Sequence, residues 1–208
     1  KYVSGIKLET SAPTAKGIFN SINAVYKFFT YKKLEESTIA ISGVGKVGSK
    51  LSKLLFEKKA KLIVSNIGKD AIDQLKHDKI LFKQYDINSI FEQKCDIMSP
   101  CALGGVINSE IKKKLKCKAI VGAANNQLDK PETAIWLKEN NIFYAPDYLV
   151  NSGGVIAISC EINNSEDTLD DQLNKISDKV LSLLKESKKS SLSTDKIAED
   201  LAWKRINS

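Results

Sequence analysis

Apolar positions along this chain alternate between two periods. Across residues 14–30 they fall at Ile18, Ile22, Val25, Phe28 and Phe29, close to the spacing of one helical face, and Pro13-Thr14 ahead of them is a helix start. Residues 37–41 are short and rich in β-branched side chains, the mark of a strand. They run directly into Gly43-Val44-Gly45-Lys46-Val47-Gly48, after which Val47, Leu51, Leu54 and Leu55 resume helical spacing up to Lys59. Residues 61–65 (KLIVS) form a second buried strand, so the order strand, glycine turn, helix, strand makes one βαβ unit.

The alternation continues to the end. Residues 70–77 predict a short helix, 80–83 a short strand, and 95–98 a strand ending at Ser99-Pro100. Residues 107–115 predict a helix, 118–121 a strand ending in Gly122-Ala123-Ala124-Asn125-Asn126, and 131–140 a helix. The last strand, 142–144, ends in Ala145-Pro146-Asp147. A helix follows from about Val150, then a polar gap at 163–167 and an amphipathic helix from Leu169 to about Lys185. Ser193-Thr194-Asp195 opens a final helix whose free N–H groups these side-chain oxygens cap. An extended start precedes the first helix, and residues 1–9, without an initiator Met, read as the continuation of something longer.

Strands alternating with helices predict a mostly parallel sheet covered on both faces, a doubly wound α/β fold of the Rossmann type with a helical C-terminus. No internal repeat or linker divides the chain, so residues 1–208 are expected to form one domain. In such sheets ligands sit outside the carboxyl ends of the strands. Small and polar residues gather at those ends here: the glycine turn, Ser99-Pro100-Cys101, the run from Gly122 to Asn126, and Pro146-Asp147 followed by Asn151-Ser152-Gly153-Gly154.

The glycine turn has a physical reading. Gly43 permits the tight turn, Gly45 lets backbone approach a pyrophosphate, and Gly48 lets the helix pack closely on the strand. The helix N-terminus offers unpaired N–H groups and a partial positive charge to phosphates. The same turn also occurs in folds of this type that bind nothing. One position departs from the pattern for NAD: the acidic residue usual about 20 residues on is replaced by Ser65-Asn66. An amide brings no negative charge to bias the site against a 2′-phosphate, so either NAD or an NADP assisted by Lys69 is compatible.

Composition narrows the function classes. The chain carries 42% hydrophobic and 27% charged residues, within the range of globular proteins. It has neither a secretory signal nor an apolar run near the roughly 18 residues that span a bilayer, which makes a cytoplasmic protein without a membrane partner the default expectation. The net charge of +7 comes from lysines scattered beside acidic residues. With no aromatic-interleaved basic tract, it predicts a solvated surface that attracts an anionic cofactor rather than nucleic acid. Cys95, Cys101, Cys117 and Cys160 form no CxxC pair and His77 is the only histidine, so no metal site is expected.

Several longer stretches resemble the glutamate, leucine, phenylalanine and valine dehydrogenases, most closely the leucine and phenylalanine branch. They are Thr14-Ala15-Lys16-Gly17, the glycine turn with Ala60-Lys61-Leu62-Ile63-Val64, and Cys95-Asp96-Ile97-Met98-Ser99-Pro100-Cys101-Ala102-Leu103-Gly104-Gly105-Val106-Ile107-Asn108. Two more are Gly122-Ala123-Ala124-Asn125-Asn126-Gln127-Leu128 and Tyr144-Ala145-Pro146-Asp147-Tyr148-Leu149-Val150-Asn151-Ser152-Gly153-Gly154-Val155. The resemblance implies oxidative deamination of an L-amino acid such as leucine, valine or phenylalanine to a 2-oxo acid, with hydride passing to nicotinamide. It places Gly43, Gly45, Lys46, Val47 and Gly48 at the pyrophosphate and Asn66 at the adenosine ribose. Ala123, Ala124 and Asn125 then line the nicotinamide side, with Asn125 or Asn126 reaching substrate or carboxamide. Thr14 touches the carboxamide, and Asn151 and Val155 sit where cofactor and substrate meet. Taken alone, Asn125, Asn126 and Asn151 are equally loop residues that satisfy backbone groups. Cys101 carries no sign of a nucleophile.

The resemblance also implies an absence. Two lysines and an aspartate in a separate N-terminal domain do the family's acid–base work, and the glycine-rich stretch bearing the catalytic lysine is not in this sequence. No catalytic residue is therefore expected in this chain, which alone should bind a dinucleotide without deaminating amino acids. Family members associate, so a homo-oligomer is expected. The competing accounts are a non-catalytic remnant that keeps the fold for binding or assembly, and a nucleic-acid-binding domain resting on charge alone.

Overall fold

A computed structural model of the chain describes residues 9–207. The extended start expected at the N-terminus lies almost wholly outside the described residues. Helix α1 (Ser11–Thr30) leads into β1 (Thr38–Ser42), α2 (Lys46–Glu57), β2 (Lys61–Ser65), α3 (Lys69–His77) and β3 (Phe82–Gln84). The second half runs β4 (Ile97–Pro100), α4 (Ile111–Lys114), β5 (Ala119–Ile120), α5 (Pro131–Glu139), β6 (Phe143–Tyr144) and α6 (Asp147–Val150). Then come α7 (Gly153–Ile162), α8 (Leu169–Lys189) and α9 (Thr194–Ile206). No helix among the described residues is long and apolar enough to cross a membrane.

The strands make one six-stranded parallel sheet in the order β3-β2-β1-β4-β5-β6. Successive side chains in a strand point to opposite faces, and the two cores divide on that period. Ile39, Ile41, Leu62, Val64, Ile97, Ala119 and Val121 join one core with side chains from α1, α2, α3 and α8. Ala40, Ile63, Met98 and Ile120 point the other way and pack on Ile90, Phe91, Ile107 and Leu137. Both faces are therefore apolar, which is why the central strands read as continuous hydrophobic runs.

Several element boundaries differ from the sequence pattern, each for a local reason. The helix expected over 107–115 shrinks to α4, because Asn108 Oδ1 accepts the N–H groups of Glu110 and Ile111 at 3.0 and 2.9 Å and delays the start. Ile107 itself is fully buried and bridges to Leu128. The strand expected over 80–83 begins at Phe82, because Lys79 turns left-handed (φ 59°) and Ile80 N–H closes α3 on the Leu75 carbonyl. The strand expected over 95–98 is shifted to β4, where Ser99 and Pro100 pair with Ile41 and Ser42. The single helix expected from Val150 is two, α6 and α7, separated at Asn151-Ser152. Ser193 caps α9 as expected, its Oγ accepting from Lys196 N–H at 3.3 Å.

Helix α1 packs on α8 through a close approach at Gly17, where a Cβ would lie 2.8 Å from Ile176 Cδ1. Ile176 is 2% exposed. Ile176→Ala is expected to cost about 2–5 kcal/mol, since it removes the buried side chain that fills the space over Gly17 and leaves a cavity. The check is a lower urea midpoint with an unchanged denaturant slope.

Candidate functional site

The carboxyl ends of β1, β2, β4 and β5 meet along one edge of the sheet, and the sequence-predicted residues lie there in two groups. In the first, Gly43 leaves β1 with φ 99° and donates its N–H to the Ser65 carbonyl at 2.8 Å. A Cβ on Gly48 would sit 2.0 Å from the Gly43 carbonyl oxygen, so α2 is pressed directly onto the turn. Gly45 is the opposite case: it caps α2, and a Cβ there would meet nothing within 4 Å. Crowded glycines thus flank an open one, and that open face fronts the start of α2, where Lys46 and Val47 stand.

Asn66 lies half-buried beside this turn. Its Oδ1 accepts Val44 N–H at 3.0 Å, and its Nδ2 donates to the Gly68 carbonyl at 2.9 Å. The amide therefore ties the end of β2 to the glycine turn as well as facing outward. A cavity of about 550 Å³ opens alongside, lined by Gly43, Asn66, Ile67, Ile87, Leu103 and Asn108 among others. Ile67 and Leu103 are 77% and 68% exposed, which makes its rim apolar.

The second group is a network around the turn after β5. Ala124 N–H donates to the Pro100 carbonyl at 2.9 Å, and a Cβ on Gly122 would lie 2.3 Å from that same oxygen. Gln127, fully buried, donates its Nε2 to the Gly122 and Ala124 carbonyls at 2.9 and 3.0 Å. Asn126 holds a left-handed φ of 51° and its carbonyl accepts Gly105 N–H at 2.6 Å. Asn151 Nδ2 donates to the Ala123 carbonyl at 3.2 Å and to Asn125 Oδ1 at 2.6 Å.

Ala123, Asn125 and Asn151 are thus brought together directly. Thr14, in the first turn of α1, packs against the start of α7: its Oγ1 donates to the Thr10 carbonyl at 2.8 Å, and a Cβ on Gly154 would come within 2.9 Å of the Thr14 Oγ1. Val155, one residue further along α7, is 71% exposed and is not drawn into the hydrogen-bonded network.

Two contributors carry no periodic signal in the sequence. Gln127 closes the turn from inside, and Asp147 supports it from below with Oδ2 accepting Asn126 N–H at 2.6 Å and Oδ1 accepting Tyr144 OH at 2.8 Å. Burial, with help from Asp147, raises the Tyr144 phenol well above its ordinary range, so it remains a donor at neutral pH. On α9, burial first and the Asp147 and Glu199 carboxylates next raise the Asp195 carboxyl. Cys101 has its thiol raised by burial, with Ser99 Oγ 3.5 Å away, an inert setting. Among the described residues no group of three or more His, Cys, Asp or Glu is placed to hold a metal ion.

The strand order and the loops along the carboxyl edge define a doubly wound α/β protein of the Rossmann type. Comparison with known proteins makes this specific. The Glutamate/Leucine/Phenylalanine/Valine dehydrogenase family matches residues 64–207, and the chain belongs to that family. It is 38% identical over 207 residues to a phenylalanine dehydrogenase of Thermoactinomyces intermedius, covering 97% of this chain and 56% of that protein. A leucine dehydrogenase of Geobacillus stearothermophilus is 36% identical over 214 residues, covering 99% and 58%. The crystal structure of L-tryptophan dehydrogenase from Nostoc punctiforme superposes with a TM-score of 0.90 at 31% identity, covering 97% of this chain and 62% of that one. The chain therefore spans little more than half the length of the curated relatives it matches.

Two predictions follow from the packing. Gly48→Ala is expected to destabilise the fold by about 3 kcal/mol, because the atom in the way is backbone and cannot rotate aside; thermal denaturation of the variant measures it. Asp195 carries a folded-state value above the ordinary 3.8, so its ionisation opposes folding. That penalty is absent below the ordinary value and sets in as pH rises through the folded one. Asp195→Asn should consequently melt higher than wild type at pH 7, and the difference should vanish as the pH is lowered to about 4.

Proposed function

We propose that this chain is the dinucleotide-binding part of an amino-acid dehydrogenase that oxidatively deaminates an L-amino acid such as leucine, valine or phenylalanine. The observation that carries the reading is the contrast among the three glycines. Gly43 and Gly48 are crowded by their own fold, whereas the space above Gly45 is empty and faces a helix N-terminus. Crowding explains the first two but not the third, whose N-cap position Ser, Thr, Asp or Asn fills equally well. Backbone approach by an anion explains all three, since a side chain at Gly45 would stand where the pyrophosphate meets the N–H groups.

On this reading Gly43, Gly45, Lys46, Val47 and Gly48 hold the pyrophosphate, and the cavity beside Asn66 takes the adenosine end. Asn66 retains one free N–H and one free lone pair after bracing the turn, enough to bond a ribose hydroxyl. Lacking a charge, it admits NAD and leaves NADP open. Ala123, Ala124, Asn125, Thr14 and Asn151 line the nicotinamide side, with Asn126 and Val155 toward the substrate. The dinucleotide, when bound, supplies a hydride acceptor at its nicotinamide ring. The chain's own residues orient that ring with neutral amides and hold it at the sheet edge.

Moving the amine proton needs a group of tuned pKa within reach of it. The Asp147 carboxylate is buried and committed to the turn, one bond to each oxygen. Acid–base chemistry is accordingly assigned to a separate catalytic domain outside residues 1–208, which form the dinucleotide-binding domain. A homo-oligomer in the cytoplasm belongs to the same reading. A second reading, a remnant without catalysis, draws on Asn66, whose amide is committed in part to the loop rather than to a ligand.

Titration calorimetry with NAD and NADP separates the two: binding of either supports the first, and no binding of either at millimolar concentration abandons it. Gly45→Ala should leave the melting temperature nearly unchanged while weakening the dinucleotide at least tenfold, about 1.4 kcal/mol. The wild-type chain alone should show no turnover of leucine, valine or phenylalanine.

A further inference from the structure

We infer that Asp147 is a positioning residue: its buried carboxylate sets the asparagine turn after β5, and with it the nicotinamide half of the site. The inference rests on the dinucleotide reading above. Asp147 is 8% exposed, yet among the described residues its carboxylate is bonded by a backbone N–H and a phenol rather than by a lysine or arginine. A carboxylate placed out of water is costly unless its oxygens are satisfied by strong donors, and charge-assisted bonds to an amide and a phenol provide that. The Asn126 contact, at 2.6 Å, is short for an N–H donor.

What it holds is the corner of the turn. Asn126 sits at φ 51°, a left-handed conformation that asparagine tolerates better than most side chains, and outside contacts select it. Two bonds fix it from opposite directions: Asp147 takes its N–H and Gly105 donates to its carbonyl at 2.6 Å. Its neighbour Asn125 is held by Asn151, and Asn151 N–H in turn donates to the Asp147 carbonyl at 2.8 Å. Asp147 and Asn151 therefore lie one helical turn apart at the two ends of α6, and each grips the same turn, one through Asn126 and the other through Asn125 and Ala123. The glycine turn has its own hydrogen-bond braces, Asn66 and Ser65, and meets the asparagine turn only by way of the loop after β4, through Ala102 and Gly104.

That separation provides the test. ADP-ribose contains the pyrophosphate and adenosine but no nicotinamide, so it reads one half of the site, whereas NADH reads both. In the full chain, Asp147→Ala should weaken NADH about tenfold and leave ADP-ribose within twofold. Asp147→Asn, which keeps one acceptor for Asn126 N–H, should fall between that variant and wild type. Equal weakening of both ligands would make Asp147 a general stabiliser and overturn the proposal, as would no weakening of either. Hydrogen exchange gives a readout independent of any ligand: amides of residues 123–127 should exchange about tenfold faster in Asp147→Asn, with β1 and α8 unchanged. If wild type bound neither ligand, the dinucleotide reading would fail, and exchange alone would decide whether Asp147 sets the turn. Unchanged exchange there would overturn it.

Discussion

The carbonyl of Gly43 and the backbone of Gly48 lie closer than any Cβ would allow, and the organisation of the cleft follows from that approach. It brings the first turn of α2 against the end of β1, so the unpaired N–H groups of the helix point out along the carboxyl edge of the sheet. The same device recurs across the sheet, where Gly122 lies against the Pro100 carbonyl and lets the loops after β4 and β5 touch. A parallel sheet forces all its strands to end on one side. Small residues there let the ends converge on a single edge instead of splaying apart.

The two halves of that edge use different physics. Around α2 the available groups are backbone donors and a helix dipole, suited to spread negative charge and indifferent to its exact shape. Around the turn after β5 the available groups are the paired side-chain amides of Asn125 and Asn151, on a backbone held by a buried carboxylate and a buried glutamine. That arrangement suits a neutral planar group, where orientation matters more than charge. The second half also depends on the far end of the chain: Thr194, in the first turn of α9, donates to the Tyr144 carbonyl, directly beneath Asp147. Tyr148 and Asp195 extend this contact, and both titrate above their ordinary values, through burial first and the neighbouring carboxylates second.

The alternation of strands with helices and the glycine turn were legible because each rests on signals within a few residues: alternating apolar faces, a β-branched run, glycines at fixed offsets. The resemblance extended this to the strand-end motifs. What stayed hidden depends on contacts between distant parts of the chain. Nothing near Asp147 in sequence announces that its partner is an amide 21 residues earlier. Ile107 carries an apolar helix pattern and yet sits in a bridge to Leu128, because Asn108 captures the next N–H groups first. A side chain competing with the backbone is a local event, but its outcome is settled by whether burial of Ile107 favours the bridge.

Asn66 marks where local rules and the whole structure part company. By position it stands in place of a carboxylate that would bond both ribose hydroxyls and repel a phosphate. In the fold it accepts the N–H of Val44, a bond a carboxylate oxygen could make equally well, but it also donates to Gly68, which a carboxylate could not. The amide therefore gains a loop contact and surrenders a charge. In a chain with a net charge of +7, losing one negative group at the cleft makes the field there still more favourable to anions. Under the dinucleotide reading, Asn66 then contributes no charge to the discrimination between the two cofactors.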